Sequence, residues 1–143
     1  MKALLIIICT ISVTAAAAEL KPFTTDGCSL FPDGDTENHM KWMECCIRHD
    51  YAYWKGGAQK ERIHADAQLQ QCVADLGEEN LSYIMQIGVQ LGGAPYFPTW
   101  YRWGYGWPYM RGYKELSASE KGQVKTRIIQ LNELLTEFLA EEN

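Results

Sequence analysis

A mainly helical, single-domain fold is what this sequence predicts, with an antiparallel pair of helices near its centre. Three observations lead there. Apolar residues recur at helical spacing in several stretches, glycines punctuate those stretches, and four cysteines downstream of the N-terminal segment are placed to tie loop to helix and helix to helix. With 143 residues and 47% hydrophobic composition, the chain is long enough for one compact domain with a core and too short for two ordinary ones.

In chain order, Met1-Lys2, the apolar run Ala3 to Val13 and Thr14-Ala15-Ala16-Ala17-Ala18 form the three parts of a secretory signal. Cleavage near Ala18 is expected, leaving a domain over 19–143. Neither this run nor any later one reaches the ~20 apolar residues that a spanning helix needs. Asp26-Gly27-Cys28-Ser29-Leu30-Phe31-Pro32-Asp33-Gly34-Asp35 is rich in turn formers and reads as a loop. A first helix is expected from about Asp35 or Thr36 to Trp54, ended by Gly56-Gly57. A second should run from Gln59 to Leu76, with Ile63, Asp66, Leu69, Val73 and Leu76 on one face and Gly77 as its stop. A third, from Glu79 to about Leu91, carries Leu81, Ile84, Gly88 and Leu91 on one side. In the last, Ser117 and Glu120 form a capping-box pattern, and Val124, Ile128, Leu131, Leu135 and Phe138 repeat at core spacing. Between the third and last helices, Tyr96 to Tyr109 holds eight aromatic residues among fourteen. Tyr101, Trp103, Tyr105, Trp107 and Tyr109 alternate with Arg102, Gly104, Gly106 and Pro108, a pattern of extended or irregular chain.

Export removes Cys9 and leaves Cys28, Cys45, Cys46 and Cys72, an even number suited to two disulfides in an oxidising compartment; four cysteines permit three pairings. A zinc site is disfavoured because adjacent Cys45-Cys46 on a helix point apart and no C-x-x-C occurs. The net charge of −5 argues against nucleic acid as a partner, which would need a basic face.

The densest chemistry lies in Cys45-Cys46-Ile47-Arg48-His49-Asp50-Tyr51-Ala52-Tyr53. On a helix, Cys45, His49 and Tyr53 share one stripe, while Cys46 and Asp50 share another about 100° round. The short connection through Gly56-Gly57 implies that the first two helices fold back on each other. In an antiparallel pair, facing residues have a nearly constant sum of positions. Cys45 with Cys72 and His49 with Asp66 have nearly the same sum, so one register joins both pairs and leaves Cys28 for Cys46. Asp66, a carboxylate in an apolar stripe, needs a donor or cation beside it.

These residues resemble the secreted phospholipase A2 superfamily, whose core is C-C-x-x-H-D-x-x-Y on one helix with a partner aspartate on the next. The resemblance covers about Gly27 to Cys72. It implies a disulfide-linked antiparallel helix pair of phospholipase A2 type with additional C-terminal helices. It further implies His49 as the catalytic histidine, Asp66 as the aspartate that orients it, Tyr53 as a support bonded to that aspartate, and Asp50 as a calcium ligand. By position, Gly27, Ser29 and Phe31 would add backbone oxygens to the calcium site, with Asp33 as a further carboxylate candidate. Ala52 and Ala65 stand where the family has another helix-to-helix disulfide, so both halves are absent together. The sequence has no room for the family's β-hairpin, which marks a short, bacterial-type relative.

The chemistry follows from the residue types. A neutral histidine takes a proton from water, and a carboxylate behind its other nitrogen fixes the tautomer and stabilises the imidazolium. No serine stands in reach by spacing, so water is the expected nucleophile. Calcium held by Asp50 would act as a Lewis acid on an ester carbonyl. Two expectations result: a secreted or periplasmic calcium-dependent hydrolase acting on phospholipid at a membrane interface, or a catalytically silent lipid- or protein-binding module on the same scaffold. His39 and His64 lack such partners and are expected at the surface. Trp100, Trp103 and Trp107 suit either a lipid interface or packing over the helices.

Overall fold

The computed structural model describes residues 18–141, so the expected signal sequence, apart from Ala18, lies outside the described residues. Four helices follow in order: α1 (Met43–Lys55), α2 (Gln59–Ala74), α3 (Glu79–Gly92) and α4 (Ala118–Glu141). Among the described residues there is no strand, and no helix is long and apolar enough to cross a membrane. The mainly helical expectation holds.

Helix α1 starts at Met43, later than the expected Asp35 or Thr36. Asp35 does act as a cap, but of a turn: its Oδ1 accepts the backbone N–H groups of Glu37 at 2.9 Å and Asn38 at 2.7 Å. That local side-chain-to-backbone pairing competes with helix, and the chain turns instead. From Met43 onward, α1 buries Cys45, His49 and Tyr53 on one stripe and Cys46 and Asp50 on the next.

Helices α1 and α2 pack as the expected pair. Disulfides join Cys45 to Cys72 and Cys28 to Cys46, each pairing as the register required. With their cysteines 27 and 18 positions apart, each bridge restricts the unfolded chain by an amount worth about 3 kcal/mol. The faces of α2 and α3 differ from expectation. Helix α2 buries Arg62, Ala65, Asp66, Leu69 and Val73, whereas Ile63 and Leu76 are exposed. Helix α3 buries Ser82 and Met85 and exposes Ile84 and Leu91. Apolar residues ring most of α3, so periodicity does not choose the buried side. Packing on Leu69 and Val73 of α2 does, in a cluster that includes Met85, Trp42 and both cysteines of the 28–46 bridge. Ser82 is tolerated inside because its hydroxyl donates to Glu79 O within the helix.

Helix α4 begins with the expected capping box: Glu120 N donates to Ser117 Oγ at 3.2 Å and Ser117 N to Glu120 Oε2 at 2.8 Å. Only its first half docks, through Val124 and Ile128 against Leu20, Trp54 and Trp107. Leu135 and Phe138, expected in the core, are exposed. The described structure offers their stripe no facing element.

The aromatic segment is irregular, as its composition implied, and it closes the C-terminal end of α1. A helix end leaves carbonyls without intrahelical partners. Here Tyr53 O accepts Gly104 N at 2.6 Å, Trp54 O accepts Gly106 N at 3.1 Å, and Lys55 O accepts the Trp107 indole at 2.8 Å. Such close backbone approach requires glycine at 106. A Cβ there would stand 2.5 Å from the Trp54 ring and 2.7 Å from Leu20. Trp103 and Trp107 are buried, so packing accounts for both, while Trp100 is 65% exposed. Gly106→Ala should therefore lower stability by about 1–3 kcal/mol through overpacking, measured by denaturant unfolding of the oxidised protein.

Candidate active site

Asp66 is 2% exposed and draws three donors around one carboxylate. His49 Nε2 lies 3.0 Å from Oδ1, the Tyr53 hydroxyl donates to the same oxygen at 2.6 Å, and Arg62 Nε stands 3.7 Å from Oδ2. Because the carboxylate accepts, Nε2 carries the ring proton and Nδ1 is the lone-pair nitrogen. Nδ1 has no hydrogen-bond partner among the described residues. It is not sealed either, since among the described residues the fully buried side-chain polar atom without a partner is Thr99 Oγ1. Burial first, and then the negative charge of Asp66, push the Tyr53 hydroxyl well above its ordinary range, so it stays protonated and donates.

His49 and Asp50 open onto a cleft of about 90 Å³ with apolar walls from Leu30, Phe31, Leu69, Met85, Val89 and Tyr101. The register of α1 against α2 puts His49 in its lining, the 28–46 disulfide holds the loop that supplies Leu30 and Phe31, and α3 supplies Met85, Gly88 and Val89. Gly27, Ser29 and Phe31 all line this cleft. Gly27 (φ 73°) and Ser29 (φ 55°) are left-handed on either side of Cys28. Ser29 is held there by donating to Asp26 Oδ1 at 2.9 Å.

Asp50 is 8% exposed. Its Oδ2 accepts the Thr25 hydroxyl at 2.7 Å, and no lysine or arginine among the described residues pairs with it. Burial raises its pKa to about 6, against the opposing effects of the Thr25 bond and His49. The backbone carbonyls of Gly27, Ser29 and Phe31 accept no hydrogen bond from any described residue. A buried carboxylate without a cationic partner, in a cleft lined also by residues whose carbonyls accept no bond, is a set of oxygens that fits a hard divalent cation such as calcium. Among the described residues no group of three or more His, Cys, Asp or Glu side chains could hold a metal, so such a site would rest on one carboxylate and backbone oxygens. Asp33 does not join it by its Oδ1, which accepts Cys28 N at 2.8 Å and fastens the loop.

The structure thus brings together His49, Asp66 and Tyr53, places Asp50 beside them, and leaves His39 and His64 exposed as expected. Three polar partners were not foreseen. Thr25 reaches Asp50 from a distant loop without any local signal, and Tyr113 reaches Arg62 the same way. Arg62 did leave a signal: it lies four residues before Asp66, the spacing of an ion pair on one helix face, in a stripe whose carboxylate required a cation.

The fold and site together define a small, disulfide-stapled helical protein with a buried His–Asp pair at an apolar cleft. No family model, curated protein or solved structure matches the chain, so its class rests on this geometry. The two disulfides fit an oxidising compartment.

The raised pKa of Asp50 fixes a sign. The folded protein holds this proton more tightly than the unfolded chain, whose carboxyl titrates near 3.8. The corresponding stability is complete below about pH 4 and is lost as pH rises through about 6. Without added metal, Asp50→Asn should therefore melt several degrees above the parent at about pH 8, and the two should converge at about pH 4.

Proposed function

We propose that the protein is a phospholipase A2-like hydrolase that uses His49 to activate water against a phospholipid acyl ester, at the sn-2 position if the family's rule carries over. The observation that carries this reading is the asymmetric environment of His49: Nε2 is bonded to buried Asp66, Nδ1 has no hydrogen-bond partner among the described residues, and the residue lines a cleft together with Asp50. The order of the roles follows from that asymmetry. A water at Nδ1 gives up its proton as its oxygen attacks the ester carbonyl. Asp66 keeps the ring oriented and stabilises the imidazolium, and the same Nδ1 then returns the proton to the departing alkoxide. Tyr53 holds Asp66 in place. Calcium, when bound by Asp50 with the carbonyls of Gly27, Ser29 and Phe31, supplies positive charge for the developing oxyanion and for the substrate phosphate.

The surroundings suit a lipid. The cleft walls are apolar, and Leu30 at the cleft is 74% exposed. The outer side of α3, whose inner side forms a wall, presents Tyr83, Ile84, Ile87 and Leu91 to solvent. Exposed Trp100 donates to Asp26, the residue that also fastens Ser29. Apolar and aromatic side chains around an apolar cleft favour a membrane interface over a free polar substrate. The export signal expected from the sequence would deliver such an enzyme to a secreted or periplasmic location.

His49→Gln should lower calcium-dependent fatty-acid release from phospholipid vesicles by about 10²–10⁴-fold, the usual worth of a general base. Intact hydrolysis would sink the base assignment. Asp50→Asn should abolish both the calcium stimulation and the calcium-induced rise in melting temperature seen in the parent. A calcium response that survives this change would remove Asp50 from the site. Vesicles should shift the tryptophan emission to the blue, and Trp100→Phe should remove most of that shift, because Trp103 and Trp107 are already buried.

A further inference from the structure

We infer that Arg62 is a positioning residue for the His49–Asp66 pair: it acts through Tyr53 and Asp66 to hold the carboxylate at the angle that presents Oδ1 to the imidazole. The inference rests on the hydrolase reading for its kinetic consequences and on geometry alone for its structural ones.

Arg62 is 8% exposed, and its guanidinium is fixed on two sides. On the side away from the site, Nη2 donates to Val89 O and Gln90 O, both at 2.8 Å, and Nη1 donates to the Tyr113 hydroxyl. The two carbonyls belong to the last turn of α3; Val89 O also accepts the C-cap Gly93 N at 2.9 Å, while Gln90 O has no backbone donor among the described residues. On the side facing the site, Nε donates to the Tyr53 oxygen at 3.0 Å and stands 3.7 Å from Asp66 Oδ2. A planar, permanently charged group held at three distal points cannot swing, so its Nε–H is a fixed reference for everything beyond it.

Beyond it lies a directional chain. The Tyr53 oxygen accepts from Arg62, which leaves its single O–H to be donated, and Asp66 Oδ1 receives it at 2.6 Å. Each bond polarises the next in a low-dielectric interior. Oδ1 also faces His49 Nε2, so the oxygen that orients the base is itself oriented from Arg62. Oδ2 has no hydrogen-bond partner among the described residues. The Arg62 charge is the influence on that side that opposes rotation of the carboxylate. Burial by itself pulls the guanidinium toward neutrality, and its bonds to Tyr53 and Tyr113 more than offset that, so the charge persists.

A purely structural Arg62 would tie α2 to α3 and do nothing to the imidazole. Two variants separate the cases. Arg62→Lys retains charge but lacks the fork that serves Tyr53 and the α3 carbonyls at once; Arg62→Gln removes the charge as well. Each is first checked for both native disulfides and parental helicity. The primary readout needs no substrate: the proton resonance of His49 Nε2–H, slowly exchanging and far downfield when bonded to a buried carboxylate. Positioning predicts that this resonance shifts upfield and exchanges faster in Arg62→Lys, and more so in Arg62→Gln. In vesicle hydrolysis, kcat should fall about tenfold for lysine and about a hundredfold for glutamine with KM within twofold. A parental Nε2–H resonance in a folded variant overturns the inference. Should Arg62→Gln fail to fold, Arg62→Lys decides alone by the same criterion. If the parent hydrolyses no phospholipid, the functional reading fails, yet the resonance still tests whether Arg62 orients the pair.

Discussion

A carboxylate taken out of water must be met by donors on the spot, and in this protein the carboxylate of Asp66 sets the terms for its neighbours. At 2% exposure it accepts from Tyr53, faces His49 and neighbours Arg62, so three side chains from two helices have their rotamers fixed by one group. Breaking a buried ion pair on one side is typically worth several kcal/mol, because the abandoned charge has no solvent to retreat to. The relative placement of α1 and α2 is consequently stiff where the chemistry would occur. The Cys45–Cys72 bridge reinforces the same register from the far end of the pair.

The second buried carboxylate is the counterexample. Asp50 follows His49 directly but has the Thr25 hydroxyl and the Asp26 backbone for company and no cation among the described residues, and its pKa rises to about 6. One site thus holds an acid with a protein cation beside it and an acid without one. The difference stems from the neighbours of each: Arg62 and Tyr53 stand beside Asp66, whereas Asp50 has hydroxyl and backbone donors and shares its cleft with Gly27, Ser29 and Phe31. Groups that leave such an imbalance in a native cleft lower stability, and they persist where a ligand restores it.

Long-range packing makes this arrangement durable. The aromatic segment caps the C-terminal end of α1 with glycine amides and an indole, and it also supplies Tyr101 to the cleft and Trp103 against Tyr53. Its alternating aromatic and small residues are therefore not strand pairing. The large rings fill space around Trp54 and Tyr53, and the glycines between them let the backbone close on the helix end. Helix α4 contributes less, holding Leu20 and Glu19 through Gln123 and Arg127 and running on with its apolar residues outside.

The sequence by itself determined the helix pair, its register, both disulfides and the meeting of His49 with Asp66. Those follow from local periodicity and a short turn, which leave few ways to superpose two stripes. It also gave the α4 capping box, because that motif spans four residues. It did not determine where α1 starts, since the competing Asp35 turn is as local as a helix cap and wins by two hydrogen bonds. Nor did it choose the buried side of α3, where apolar residues ring most of the helix and only contact with Leu69 and Val73 decides. The partners of Asp50 and Arg62 belonged to tertiary structure for a simpler reason. Thr25 and Tyr113 are distant along the chain, and no periodicity links residues that meet only once the loops have closed.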